Sequence, residues 1–361
     1  MSYRQRVHQV LIGASSGDAI TGMTLSLRDG LRKKFDSEVF ALWRHGEEMT
    51  RECMALDDFP ESKDVDLLIY HLSIGYSQMH EWLLSRSEPL AISYHNVTPS
   101  GFYQRHNPEF AADLDLGRQE ILDLRPKVVL AVADSEFNAE DLRRAGYREV
   151  NVVPAGLDPS RLASEPVDVG LLADMNRRFP NGYVVAVGQV LPHKRVEQLM
   201  QTMHLLNSTF WGNIGLVICG VQRQHAYFHS LLRYRHVCAM VDVHFAGQVS
   251  DRQLSTYLRG AKLFLGLSDH EGYCIPPFEA ASMSVPVVIK GAGAVPEAIG
   301  CGALLLPQDA GPVLAAEAVN EVLQNQNLRL DLINRGHARV HEVQNRDHVG
   351  ETVRLVEDLF G

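Results

Sequence analysis

No apolar run in this sequence approaches the ~18 residues that a membrane-spanning helix requires, so none of its 361 residues is expected to cross a bilayer. The start, Met1-Ser-Tyr-Arg-Gln-Arg-Val-His8, leads into a short apolar run without a cleavage-like site. No secretion signal is read there, and a cytoplasmic protein is expected. Cysteine is scarce: Cys53, Cys219, Cys238, Cys274 and Cys301 form an odd set with no zinc or redox spacing, which points to reduced thiols. Positive charge is also in deficit, with 34 Lys and Arg against 44 Asp and Glu and a net charge of −10. That balance excludes wholesale nucleic-acid binding. An anionic ligand must then be held by local cations and amide dipoles. The one basic cluster, Arg28, Arg32, Lys33 and Lys34, falls on an expected helix. It reads either as a solvated helix face or as a peripheral contact to anionic lipid. Internal repeats and low-complexity tracts are missing as well.

What is present is a regular alternation of strand and helix patterns, which argues for α/β architecture with parallel sheets. The length suggests two domains, and a hydrophobic content of 45% is enough for two cores. Strands are read at Val7–Gly13, Val39–Trp43, Asp66–His71, Leu90–His95, Val128–Ala133 and Val150–Val153, with a first helix from Ile20 to Lys34. The segment Pro154–Pro180, rich in Pro, Asp and Gly, is read as an interdomain linker. A second series follows at Tyr183–Gly188, Gly215–Gly220, Val243–Gly247, Lys262–Leu267, Val285–Ile289 and Ala303–Leu306. Ser250-Asp-Arg-Gln253 fits a capping box, and apolar positions Val349, Val353, Val356 and Leu359 mark a last helix.

The segment Glu271-Gly-Tyr-Cys-Ile-Pro-Pro-Phe-Glu279 follows one expected strand and opens a helix. Pro276 and Pro277 suit a helix start, where a donor is dispensable. The remaining N–H groups offer an anion cradle, flanked by a carboxylate on each side that can accept from hydroxyls. A ligand with hydroxyls on both sides of a diphosphate fits, and a nucleotide sugar is such a ligand. Ligands of open α/β sheets bind at the carboxyl ends of the strands, which is where the motifs fall.

Glu271 to Glu279 resembles the Glu-x7-Glu motif of retaining GT-B glycosyltransferases, the glycogen-synthase-like group often called family 4. Tyr94-His-Asn-Val-Thr-Pro99, Ala133-Asp-Ser-Glu-Phe-Asn138, Val153-Pro-Ala-Gly-Leu-Asp158, Val187-Gly-Gln-Val-Leu-Pro-His-Lys194 and Gly293-Ala-Val-Pro-Glu-Ala-Ile-Gly300 resemble further motifs of that group, in its order. The resemblance implies two doubly wound Rossmann-like domains facing across a cleft. Residues 1–163 would form the acceptor-side domain, with a terminal helix at 347–361 packing back on it, and residues 175–346 the nucleotide-sugar domain.

The resemblance also implies roles. Glu271 contacts the transferred sugar, and Glu279 accepts from the ribose hydroxyls. Gly272, Tyr273, Cys274 and Ile275 present main-chain N–H groups to phosphates or sugar. Lys194 steadies the diphosphate as its charge grows. His95 touches the donor sugar. The group usually has an arginine where this chain has Gln189, which brings no charge, and Arg195 is the candidate to compensate. From its place after the first strand, the loop with Gly17 and Asp18 is expected to approach the phosphates from the first domain, with Asp18 either binding an acceptor hydroxyl or capping the helix. Val249, beside Gly247 and Gln248, would border the base. Asp64-Val-Asp66 and Asp113-Leu-Asp115 are not placed as metal ligands, so no metal is expected.

The expected activity is a metal-independent, retaining hexosyltransferase with no cofactor. It would use a GDP- or UDP-sugar donor, with mannose the first guess, and a glycan or lipid-linked acceptor of bacterial surface polysaccharide. A sugar-nucleotide epimerase and a catalytically weak nucleotide-sugar-binding module are the alternatives.

Overall fold

Short runs of Val, Ile and Leu, buried on both faces, make the strands of this molecule. The computed structural model describes residues 4–156, 158 and 160–361. Met1–Tyr3 of the N-terminal start, Leu157 of the Val153–Asp158 motif and Pro159 of the expected linker lie outside the described residues. The chain divides into two units, one of residues 1–104, 108–156 and 347–361, the other of residues 105–107 and 157–346.

Unit 1 holds β1 (Val7–Ser15), β2 (Val39–His45), β3 (Met54–Ala55), β4 (Leu67–Leu72), β5 (Leu90–Tyr94), β6 (Val128–Ala133) and β7 (Asn151–Val152), in the sheet order β3-β2-β1-β4-β5-β6-β7. Unit 2 holds β8 (Tyr183–Val187), β9 (Gly215–Cys219), β10 (Val243–Gly247), β11 (Leu263–Gly266), β12 (Val287–Lys290) and β13 (Leu304–Leu306), in the order β10-β9-β8-β11-β12-β13. The described pairings are parallel. Every residue of β4 and of β9 is buried, as a sheet covered by helices on both faces demands. Both units are therefore doubly wound and Rossmann-like. In each, the direction of winding reverses once, between β1 and β4 and between β8 and β11. The loops leaving those strand pairs diverge and open a crevice.

The helix His348–Glu357 belongs to unit 1. Its Val353 and Val356 are buried against Leu27, Leu31 and Phe35, and Lys34 pairs with Glu357. Burial of each valine contributes about 1.5–3 kcal/mol. Gly30, on the helix Ala19–Leu31, makes the close approach possible, because a Cβ there would run into Val349 Cγ1. The basic cluster on this helix is largely committed within unit 1. Arg28 is buried and bonds the Glu52 carboxylate at 3.0 Å, and Arg32 bonds Glu38 at 2.6 Å.

The reading of Pro154–Pro180 as a linker needs correction. The segment contains helices Ser160–Ala163 and Val169–Arg178. Asp168 caps the second by accepting from Leu171 N, and its own N–H donates to Thr256 Oγ1 at 2.9 Å. Met175 is buried. One capping side chain and a few apolar anchors outweigh a Pro- and Gly-rich flank. The Ser250–Gln253 capping box is present.

The packing of Gly30 yields a sign-changing prediction. Gly30→Ala should destabilise unit 1 by roughly 1–3 kcal/mol through the clash with Val349, despite the ~1 kcal/mol gain in helix propensity. In a Val349→Ala background the same change should be neutral or stabilising. Urea midpoints of the four proteins in this double-mutant cycle measure the sign.

Candidate functional site

The winding reversal of unit 2 gathers the sequence-predicted residues. After β8 the chain passes Gly188 and Gln189 and makes a short turn, Pro192–Lys194. After β11 it runs through a loop to the helix Pro276–Ser282. Gly188, Gln189, Lys194, Ser268, Glu271 and Cys274 line a pocket between the two. Lys194 Nζ donates to both carboxylate oxygens of Glu271, at 2.6 and 2.7 Å. The Glu271 side chain is 9% exposed and that of Lys194 24%. Burial works against the Lys194 charge, but the facing carboxylate outweighs it and holds the ammonium above 10.5. Gln189 is exposed at the rim.

The Glu271 loop is held by contacts that sequence reasoning did not single out. Ala294 N donates to the Glu271 carbonyl at 2.9 Å, and a Cβ on Gly293 (φ 59°) would strike the Glu271 backbone. Asp269 receives Lys290 Nζ at 2.5 Å and also Arg195 Nε. Burial disfavours the Asp269 charge, yet Lys290 and Arg195 more than offset that and hold it below 3.8. Arg195, expected near the donor, is thus placed on Asp269 and Glu197. No local pattern announces these pairs, because their partners lie far away along the chain.

Cys274 adopts a left-handed backbone (φ 77°), followed by right-handed Ile275 (φ −73°, ψ −42°). Alternation between the left- and right-handed regions is the kind of backbone pattern from which anion-binding nests are built. The Cys274 thiol is pushed well above 9.0, first by burial and then by Glu271, so it stays protonated and bonds that carboxylate. Tyr273 is turned inward, its ring parallel to that of Phe278 at 6.0 Å. The helix start itself offers less than expected. Pro276 and Pro277 carry no N–H, Phe278 N is already bonded to Ile275 O at 2.9 Å, and the helix has only 7 residues. The N–H groups of Cys274 and Ile275 lie in the loop before the helix and not in the helix itself. Gly272 lies in that loop, and Val249 in the connection that leaves β10.

Glu279 sits in the first turn of this helix, half-buried. Burial pushes its carboxyl up to about 7; Arg161 opposes the shift and Asp251 adds to it.

The other predicted residues are in unit 1. Gly17 takes φ 76°, and Asp18 caps the helix Ala19–Leu31 by accepting from Thr21 N at 2.9 Å. His95 follows β5 with both ring nitrogens engaged, Nδ1 with Asp134 Oδ2 at 2.7 Å and Nε2 with His71 Nδ1 at 2.9 Å.

With this geometry in view, residues 176–339 match the family model of glycosyl transferases group 1. That stretch belongs to this glycosyltransferase family. The O-antigen chain mannosyltransferase B of Escherichia coli is 23% identical over 312 residues, covering 86% of this chain and 77% of that one. Sucrose-phosphate synthase from Thermosynechococcus elongatus superposes with a TM-score of 0.72 at 17% identity over 99% of each chain. Anabaena HepE in complex with UDP-glucose does so with a TM-score of 0.72 at 15% identity, over 97% of this chain and 99% of that one. The fold is the GT-B fold. Among the described residues no helix is long and apolar enough to cross a membrane.

The raised Glu279 carboxyl makes stability depend on pH in a definite direction. Between the ordinary 4.5 and about 7 the folded chain keeps a proton that the unfolded chain has lost. Stability should therefore fall as pH rises through that window. Glu279→Gln should flatten this component by ~1–2 kcal/mol, after allowance for partial exposure. Urea midpoints across the window measure it.

Proposed function

We propose that this glycosyltransferase moves a hexose, mannose first, from a nucleoside-diphosphate sugar to a hydroxyl of a glycan or glycolipid acceptor, with retention of configuration, in surface-polysaccharide synthesis. The observation that carries the reading is the two-pronged Lys194–Glu271 pair at the winding reversal of unit 2. Without ligand, the cation and the anion satisfy each other. A nucleotide sugar offers a better partner to both: the diphosphate takes the ammonium and a sugar hydroxyl donates to the carboxylate. The pair is thus a preformed site for a ligand with charge and hydroxyls a few ångströms apart.

In this reading Lys194 stabilises charge that grows on the leaving diphosphate, joined by the N–H groups of Cys274 and Ile275. Glu271 accepts from the sugar and offsets positive charge that develops at the reacting carbon. Asp269, pinned by Lys290 and Arg195, keeps the loop in register. The reaction is substitution on the face the diphosphate leaves, so it needs no protein nucleophile. Lys194 and the amides take the part that a divalent metal has elsewhere, and chelators should leave the rate unchanged. The mannosyl preference is supported by the likeness to the O-antigen mannosyltransferase of Escherichia coli. GDP-mannose is therefore the first donor to test, with a UDP-sugar second, and peripheral membrane contact follows if the acceptor is lipid-linked.

The test is turnover of a panel of GDP- and UDP-sugars with lipid-linked and soluble glycan acceptors. Transfer to an acceptor is expected; a new free sugar nucleotide formed without acceptor would instead indicate an epimerase. Tight donor binding without transfer to any acceptor would indicate a binding module. Lys194→Met and Glu271→Gln should each lower kcat roughly 10²–10³-fold, the usual cost of one lost electrostatic contact at a transition state. Unchanged rates in both variants would remove the site assignment.

A further inference from the structure

Unit 1 contains a buried line of hydrogen bonds beneath the crevice between β1 and β4. Gln9 Nε2, on β1, donates to the Thr24 carbonyl at 3.2 Å. Gln9 Oε1 therefore faces His71 Nε2, at 2.9 Å. His71 Nδ1 meets His95 Nε2 at 2.9 Å, and His95 Nδ1 meets Asp134 Oδ2 at 2.7 Å. The two ring planes are nearly parallel, at 4°. Gln9 is 0% exposed and His71 3%, so water does not compete for these groups.

With Asp134 ionised, the protons along this line can be counted; Ser93 Oγ, 3.4 Å from His95 Nε2, can donate or accept and leaves the count unchanged. A backbone carbonyl cannot donate, so the Gln9 amide cannot flip without setting two acceptors against each other. Its oxygen then requires a proton on His71 Nε2. At the far end, the Asp134 carboxylate requires a proton on His95 Nδ1. The bond between the rings requires a third, on either His71 Nδ1 or His95 Nε2. Three protons on four ring nitrogens are one more than two neutral imidazoles carry.

We infer that His71 and His95 share one extra proton, balanced by Asp134, and that Gln9 and His71 are positioning residues that hold His95 as a doubly protonated ring. The charge is assigned to His95 because its Nδ1 faces the Asp134 carboxylate, whereas His71 Nε2 faces only a neutral amide; burial, and next the charge of His95, lower His71 well below 6.5. Charge-assisted bonds are short, and the 2.7 Å contact to Asp134 is the shortest in the line. Neither ring nitrogen of His95 then has a lone pair for a ligand hydroxyl. The ring acts on its surroundings as a fixed positive centre at the carboxyl edge of the sheet. Its link to catalysis rests on the transferase reading; the proton count does not.

Nitrogen NMR of the full-length, ligand-free protein, labelled selectively at histidine and assigned with His95→Asn, tests the count near neutral pH. Protons on both ring nitrogens of His95, and on Nε2 of His71, are expected. A bare nitrogen on His95 overturns the inference. Gln9→Leu removes the acceptor that forces the His71 tautomer, so His71 can donate from Nδ1 and His95 should lose one proton. An unchanged His95 in a folded Gln9→Leu protein also overturns it, and if that variant does not fold, the parent spectrum decides alone. No sugar nucleotide enters the measurement, so its outcome and that of the transfer assay are separable.

Discussion

An ammonium and a carboxylate that are 77 residues apart in the chain meet at the point where the second sheet reverses its winding. Much of unit 2 serves that meeting. β8 and β11 are neighbours, so the loops that leave them start side by side and then part. Lys194 rides one loop and Glu271 the other. Neither charge could remain at this depth without its partner, since a lone ion in a half-buried pocket costs several kcal/mol. The pair is therefore a constraint on folding and, in the function proposed above, a store of binding capacity that a nucleotide sugar takes over.

The supports around it divide the labour. Lys290 and Arg195 fix Asp269, two residues before Glu271, while Ala294 N donates to the Glu271 carbonyl and Gly293, lacking a Cβ, lets the two backbones approach. These contacts come from three separate connections, after β8, β11 and β12. The Glu271 side chain is thus oriented by rigid elements although it sits in a loop, and orientation of this kind is what electrostatic catalysis requires. Arg195, beside Lys194 in the chain, bonds Asp269 and Glu197 in the ligand-free structure.

Unit 1 follows a different physical pattern. A closed line of buried side chains, Asp134–His95–His71–Gln9, ends there on a backbone carbonyl. Protons there are set by acceptors at both ends instead of by solvent. The aliphatic contacts of the last helix with Leu27 and Leu31 enlarge the core of the same unit, and Gly30 is the residue that lets the two helices approach.

The sequence by itself determined the fold class, nearly all the strands and the paired glutamates. Strand periodicity, the Ser250 cap and the order of motifs are local signals, and burial on both faces of a parallel sheet writes them as apolar runs. It misjudged Pro154–Pro180, where a single Asp168 cap and buried Met175 stabilise a helix that composition conceals, and it missed β3, too short to leave a pattern. It also overstated the helix start after Ile275, because two prolines that favour a helix also remove its donors. Only the tertiary structure decided which charges pair: Lys194 with Glu271, Arg195 and Lys290 with Asp269, His95 with Asp134 and His71. Those choices depend on strand order and loop direction, and a linear sequence does not express the distance between residues that only folding brings together.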